Sequence, residues 1–442
     1  MAEVAAGALV AEQVVATGVE AAALVAVATP THPLKVSLTQ LAAPSVDGTS
    51  QTQSLARSHH TITTIRDKAY IFGGEGPDGN LCSSDVHIIH LPAQAPTSTT
   101  KPKHAVQEPF PLEDARTGEL LLPEPRTQHA ACARGKHIII HGGLDASGNP
   151  IEEDNCLWLY DTSSLQWSKL PSVTQLGKAM PSRYGHSLFY DAAQDFLVLH
   201  GGHTTRYIKE HPPSFSILSD PHLPTETETW MYDFPSHSWT ALPRAPSAPL
   251  SVAYVDTTLV TIAAGDKLSG TIHHLRLLPN ATEREKPGAL KWRTVTYPTN
   301  PLTPGPRPRS DAVLVPLATG HGRYYLVYML GRDDDGAYCS DMWTLQLPSH
   351  GLTAASAKDK IRDAVMHGSG AWSWAGVELV PTEQMVPDGK VHPGPRARVA
   401  ADACLGGKGV VLWGGENAKG EREGDGWVVG LAYGYADRDR WE

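Results

Sequence analysis

The chain has 442 residues, a formal net charge of −10 at pH 7 and a sequence pI of about 6.1. This acidic balance, with no basic cluster along the chain, excludes a general nucleic-acid binder. The five cysteines lie singly without a Cys-x-x-Cys spacing, which argues against a disulfide framework and against a zinc site. Isolated cysteines favour a reducing compartment, so we expect the cytoplasm, with the nucleus as a second location.

Residues 1–31 form an Ala- and Val-rich segment whose composition predicts a helix. Glu3, Glu12 and Glu20 interrupt this segment, and no basic residue precedes Lys35, so it is unlike a secretory signal peptide. As a membrane span it would bury carboxylates at a cost of roughly 2.5 to 3.5 kcal/mol each. We expect no membrane role, and a helix that either packs on the following domain or mediates self-association or partner docking.

Residues 33–41 alternate between apolar and polar side chains, which predicts a strand. The last module of the chain, which begins near residue 396, shows no clear fourth strand after Trp427. We therefore predict that strand 33–41 completes that module, because joining the two chain ends would remove the open edges of a sheet array.

From residue 57 onward the chain repeats a module of roughly fifty residues with four short strand signals. Each module opens with an arginine and continues into an apolar run. The modules begin at Arg57, Arg126, Arg183, Arg244, Arg309 and Arg396. A glycine pair ends the apolar run in four modules, at residues 73–74, 142–143, 201–202 and 414–415. One four-stranded sheet cannot bury both of its faces, so the six sheets must pack on one another and close into a ring.

An entering arginine, a double glycine after an apolar strand, and spaced aromatic and tryptophan residues together resemble the kelch repeat. The chain is thus similar to the galactose oxidase and kelch superfamily, and in layout to single-propeller kelch and nitrile-specifier-like proteins. The resemblance implies an all-β fold, a six-bladed β-propeller over residues 32–442, with the N-terminal Ala-rich helix outside it.

In kelch proteins, arginines at the entering position contact acidic peptides or anionic ligands. The resemblance therefore implies a ligand-binding role for five of them, with Arg244 less suited because its module lacks the glycine pair. The five are Arg57, Arg126, Arg183, Arg309 and Arg396. We expect them to converge around one mouth of the central channel, where guanidinium groups could hold carboxylates bidentately. The alternative is that each arginine ties neighbouring loops together by donating to backbone carbonyls, and both roles are compatible.

Loop residues supply further candidates. His203 and Tyr207 lie in a long loop, residues 203–227, and are candidate ligand-binding residues. Asp333, Asp334 and Asp335 form an acidic run that, with His203 and His211, could hold a divalent metal such as iron. The same Asp-Asp-Asp-Gly sequence is also typical of a solvated turn. Specifier proteins hold iron through a Glu-x3-Asp-x3-His pattern, which this chain lacks.

Two functions are open from the sequence. The first is a non-enzymatic protein-interaction scaffold that needs no cofactor and binds an acidic protein or peptide at the channel mouth. The alternative is a specifier-like or metal-dependent enzyme that acts on a small anionic substrate at the same mouth.

Overall fold

The structure is a computed structural model that describes residues 33–41, 55–92, 104–108, 110–113, 118, 120–174, 180–204, 226–266, 269–277, 288–296, 305–320, 322–349, 353, 355–357, 359–360, 372–381 and 390–432. The helix predicted at residues 1–31 lies outside these ranges. Within them, no helix has both the length and the apolar character needed to cross a bilayer. The described residues form six sheets of four or five strands, which are antiparallel apart from one short parallel edge strand in each of the two five-stranded sheets, and additional two-stranded pairs.

The first half of the chain contributes strand β1 and three blades. Strand β1 is Lys35–Leu41. Blade 1 comprises β2 Thr61–Ile65, β3 Lys68–Phe72, β4 Val86–His90 and β5 His104–Gln107. A small pair follows, β6 Leu112–Glu113 and β7 Leu120–Leu121. Blade 2 comprises β8 Ala130–Arg134, β9 His137–His141, β10 Leu157–Asp161 and β11 Gln166–Leu170. Blade 3 comprises the edge strand β12 Val173–Thr174, then β13 Ser187–Asp191, β14 Phe196–His200, β15 Thr229–Asp233 and β16 Ser238–Leu242.

The second half contributes the remaining three blades. Blade 4 comprises β17 Pro249–Val255, β18 Thr258–Asp266, β19 Ser269–Arg276 and β20 Arg293–Thr296. Blade 5 comprises β22 Val313–Gly320, β23 Arg323–Met329, β25 Met342–Gln346 and β26 Ser373–Gly376, and beside it β21 Arg309–Ser310 pairs with β24 Arg332–Asp333. Blade 6 comprises β29 Ala400–Cys404, β30 Gly409–Trp413 and β32 Gly426–Leu431, with β27 Glu378–Leu379 at its edge and the pair β28 Arg396–Ala397 and β31 Glu416–Asn417 beside it.

The chain closes into a ring. Strand β1 runs antiparallel to β32, with Leu38 opposite Val429, and so provides the fourth strand of blade 6 from the other end of the chain. The first strand of every blade lies innermost, and each of these strands is next to the corresponding strand of the following blade, with β29 next to β2. The all-β, six-bladed propeller predicted from the repeat is confirmed.

The core is divided among the joints between blades. Within the described residues, one cluster of buried apolar side chains fills each of the six joints. Alternate residues of one strand point into different joints: Ile138 and Ile140 face blade 1, whereas Ile139 faces blade 3. Because side chains alternate between the two faces of a strand, a sheet packed on both faces needs continuous apolar runs such as Ile138–Ile139–Ile140.

The glycine pairs allow neighbouring blades to approach closely. Gly142 has φ +63°, and a Cβ placed on it would lie 2.4 Å from the carbonyl oxygen of Arg183 in the next blade. The next glycine, Gly143, donates its N–H to that same oxygen at 3.0 Å. The corresponding bond from Gly415 to Arg57 (2.9 Å) joins blade 6 to blade 1. The glycine pair and the arginine of the next module therefore recur together because they form one contact.

Candidate functional site

The entering arginines lie in the interior of the protein. Five of them are only 0–2 % exposed: Arg57, Arg126, Arg183, Arg309 and Arg396. Each Nη1 donates to a carbonyl at the end of the second strand of its own blade, at 3.0 to 3.4 Å. The accepting residues are Gly73, Gly142, Gly201, Leu330 and Gly414, respectively. These arginines thus hold the turns that follow the apolar strands.

A carboxylate completes the arginine site in four blades. The ion pairs are Arg126–Glu153, Arg183–Glu228, Arg309–Asp341 and Arg396–Asp425, at 2.6 to 3.2 Å. Each carboxylate also accepts a hydrogen bond from a tryptophan Nε1, from Trp158, Trp230, Trp343 and Trp427. Burial opposes ionisation of Asp425, but the bonds from Arg396 and Trp427 outweigh it, so the pKa of Asp425 is lowered. Blade 1 differs, because Arg57 contacts the His87 ring at 3.0 Å.

The predicted open ring of guanidinium groups is not what the structure shows. All five side chains are buried and donate to carbonyls within their own blades, and four of them also pair with a carboxylate, so they are not exposed at the channel mouth. Their geometry is that of the alternative role, in which each arginine ties loops together. Arg244 is the exception: its side chain is 63 % exposed and pairs with Glu228 at the surface.

The residue two positions after each of the five buried arginines has a left-handed backbone. These residues are His59 (φ 54°), Gln128 (54°), Gly185 (62°), Asp311 (53°) and Arg398 (59°). Four of these residues donate their N–H groups to the next loop around one mouth of the channel. The bonds run from Arg398 to Asp311 O (3.2 Å), from His59 to Arg398 O (3.3 Å), from Gln128 to His59 O (3.0 Å) and from Gly185 to Gln128 O (2.7 Å). The loops of blades 5, 6, 1, 2 and 3 are thereby linked into one backbone rim, which presents these residues to the channel.

A group of charged side chains lies at the rim on blades 5, 6 and 1, and we refer to it as the rim network. It consists of Glu75, Asp311, Arg332, Arg398, Glu416 and Arg422. The contacts are Arg332–Asp311 (2.6 Å), Arg398–Asp311 (3.5 Å), Arg398–Glu416 (2.9 Å), Arg422–Glu416 and Arg422–Glu75 (3.5 Å). The network pairs three guanidinium groups with three carboxylates, so its formal charges balance.

Titration of the rim follows from these contacts. Burial opposes ionisation of Asp311 and Glu416, but the neighbouring arginines outweigh burial, so the pKa of each carboxyl is lowered. Burial, and then the positive charge of Arg398, lower the pKa of His59 well below its ordinary value. His59 is therefore neutral at pH 7, whereas Asp311 and Glu416 are ionised.

The channel behind the rim has a volume of about 660 Å³ and is lined by the inner strands of all six blades. Its only described acid on an inner strand is Asp402 of β29. Asp402 Oδ2 accepts the backbone N–H of Thr64 at 2.6 Å, and Oδ1 accepts that of Ala403 at 2.8 Å. Burial raises the pKa of Asp402 to about 6.

Asp402 is predicted to make stability depend on pH. Because its folded pKa of about 6 is above the ordinary 3.8, its contribution to stability is full below pH 3.8 and is lost as pH rises through 6. Relative to wild type, the unfolding free energy of Asp402→Asn should therefore increase by about 3 kcal/mol between pH 3.8 and pH 7.5. Urea unfolding at a series of pH values measures this difference. The control is Asp334→Asn, a variant at an exposed position. The prediction is contradicted if the stability difference between Asp402→Asn and wild type changes no more with pH than the difference for this control.

The loop candidates occupy separate places. His203 lines the channel and stacks on Tyr184, with ring centroids 5.2 Å apart. The side chain of Asp333 accepts the N–H groups of Asp335 (3.1 Å) and Ala337 (2.9 Å), which is the geometry of a turn. Asp334 is exposed. Tyr207 and His211 lie outside the described residues, and among the residues that are described no three His, Cys, Asp or Glu side chains cluster as metal ligands.

Sequence reasoning missed the rim and the channel acid. The repeat itself contains the signal for the rim, since the left-handed residues follow each arginine by two positions. Glu75, Arg332 and Glu416 directly follow the glycine at the end of the second strand. Two positions of the repeat, the second residue after the arginine and the residue after the glycine at the end of the second strand, thus contain most of the rim network. Asp402 has no such signal, because nothing in its local sequence shows that it faces a channel.

The fold and its repeated sites define the class of protein as a kelch-repeat β-propeller. The family model described as the KLHDC2/KLHL20/DRC7 Kelch-repeats domain matches residues 128–372, more than half of the chain. This chain therefore belongs to that kelch-repeat family. Kelch-repeat domains of this kind generally bind protein partners.

Individual relatives are similar over shorter stretches. The chain is 32% identical to Tip elongation aberrant protein 1 of Schizosaccharomyces pombe over 133 residues, which is 30% of this chain and 10% of that protein. It is 27% identical to Kelch-like protein 25 of Xenopus tropicalis over 163 residues, 37% of this chain and 23% of that protein. The matches thus span about a tenth and a quarter of these two relatives. A solved structure, "Structure of YjhT", has 14% identity and a TM-score of 0.49, covering 84% of this chain and 94% of that one.

Proposed function

We propose that this chain is a non-enzymatic interaction module whose propeller binds a segment of a partner protein at the mouth formed by the backbone rim. The observation that carries this proposal is the rim itself, where loops of five blades are hydrogen bonded into one frame around an open channel. Such a frame holds its side chains in place before a partner arrives, which lowers the entropic cost of binding. Protein binding is also the general role of kelch-repeat domains.

The partner segment has acidic character in this proposal. The rim network holds three guanidinium groups, those of Arg332, Arg398 and Arg422, and guanidinium is the side-chain group best suited to bind a carboxylate. Arg398 is the central residue, because it contacts two carboxylates and lines the channel. A partner carboxylate would bind there by charge-assisted hydrogen bonds.

The proposal is tested by affinity purification of partners from the native cell with the full chain as bait. The variant Arg398→Gln keeps the backbone bonds of the rim and removes the guanidinium group. We expect it to recover at least about tenfold less partner than wild type, the equivalent of 1.4 kcal/mol. The matched control is Arg307→Gln, an arginine 65 % exposed that pairs with Asp333 and should leave recovery unchanged.

The outcome that contradicts the proposal is full recovery of partners by an Arg398→Gln variant with the melting temperature of wild type.

We propose in addition that binding needs no metal, so that EDTA in the purification buffer leaves recovery unchanged. We also propose that the protein works in the cytoplasm, which its five free cysteines support.

A further inference from the structure

Asp402 differs from the other carboxylate that lines the channel. Asp311, at the mouth, is paired with Arg332 at 2.6 Å and with Arg398 at 3.5 Å. Asp402 accepts hydrogen bonds from neutral donors of Thr64 and Ala403, including the backbone N–H of each residue. A carboxylate has about four acceptor positions, so it retains capacity for a further donor. In a site of low dielectric, a nearby positive charge strongly stabilises the ionised form of a carboxylate.

The surroundings of Asp402 leave room for such a partner. Asp402 is the carboxylate on an inner strand among the described residues of the channel lining, and the same lining contains the apolar side chains of Phe189, Val252 and Val315. The channel volume of about 660 Å³ lies within the range of small-molecule sites.

Two thiols interact with the charge of Asp402. Cys132 of β8 and Cys404 of β29 feel its charge, and burial raises the pKa of Cys132 far above its ordinary value. Burial likewise raises the pKa of Cys404, to about 12. Both thiols are therefore neutral between pH 5 and pH 8.

We propose that the channel binds a small organic molecule bearing a primary ammonium or guanidinium group, with the Asp402 carboxylate as its anionic partner. The ammonium group donates to the free acceptor positions of the carboxylate, and the aliphatic part of the molecule lies against Phe189, Val252 and Val315. This site lies behind the rim and is independent of the partner surface proposed above.

The test uses the full chain and n-butylammonium chloride as the probe, with n-butanol as its uncharged counterpart. Calorimetric titration at pH 7.5 should show saturable binding of butylammonium and at least tenfold weaker binding of butanol. The Asp402→Asn variant should lose at least tenfold in affinity for butylammonium. The exposed variant Asp334→Asn has the same change in net charge and should bind like wild type.

A second measurement keeps the test valid if Asp402→Asn does not fold. In wild-type protein, the carboxyl carbon resonance of Asp402 reports its titration, and bound butylammonium should move its midpoint to lower pH. The proposal is overturned if butanol binds as well as butylammonium, if Asp402→Asn binds unchanged, or if the midpoint does not move at saturating probe.

Discussion

Replacing Arg396 with alanine is expected to lower the free energy of unfolding by about 3 to 5 kcal/mol. The guanidinium group is 1 % exposed and donates to Gly414 O at 3.1 Å, to both oxygens of Asp425 and to Pro393 O. Its removal leaves a buried carboxylate without its main partner and a glycine-pair carbonyl without its side-chain donor. Removing one member of a buried pair is costly because the remaining charge stays desolvated.

The matched control for this experiment is Arg244→Ala, at the same repeat position in blade 4. Its side chain is exposed and pairs with Glu228, so we expect a loss of about 0 to 1 kcal/mol. Urea unfolding compares the two variants. Tryptophan fluorescence is a suitable probe because Trp427 donates to Asp425, the partner of Arg396. Equal and small losses for both variants would show that the buried arginines do not stabilise the blades.

Substituting Gly142 with alanine is expected to destabilise the protein by about 2 to 5 kcal/mol. A left-handed backbone costs a non-glycine residue about 1 to 2 kcal/mol, and forcing atoms into a packed joint costs about 1 to 3 kcal/mol more. The new Cβ would lie 2.4 Å from Arg183 O and 2.9 Å from Cε1 of His186, both in blade 3. The joint between blades 2 and 3 would have to open.

Gly135→Ala separates the two causes of this loss. Gly135 has a similar φ of +60°, but no atom lies within 4 Å of the Cβ that alanine would add. We expect this variant to lose only the backbone contribution, about 1 to 2 kcal/mol. The difference between the two variants in thermal or urea unfolding measures the contact between blades. If the two losses were equal, close approach would not be the reason for the glycine pair.

The entering arginines show how far the repeat leads and where it stops. Their recurrence identified them as a set, but the carboxylate that Arg183 holds in the structure is Glu228 of the same chain and not that of a ligand. Their location was not predictable from spacing. Two of the acceptors of Arg183, Gly201 O and Glu228, lie 18 and 45 residues away along the chain, and only the folded blade brings them to the same side. A guanidinium that turns back into its own blade has the same local sequence as one that faces the channel.

The sequence by itself determined the number of blades, the strand within residues 33–41 and the glycine contacts, because these depend on local patterns. Continuous apolar runs and glycines with positive φ are properties of single strands and turns. Only the tertiary structure decided which side chains meet at the rim and in the channel. Arg422 and Glu75 are separated by 347 residues and meet because the ring closes. Likewise, Asp402 and Thr64 belong to the last and first blades, and closure of the ring places one beside the other.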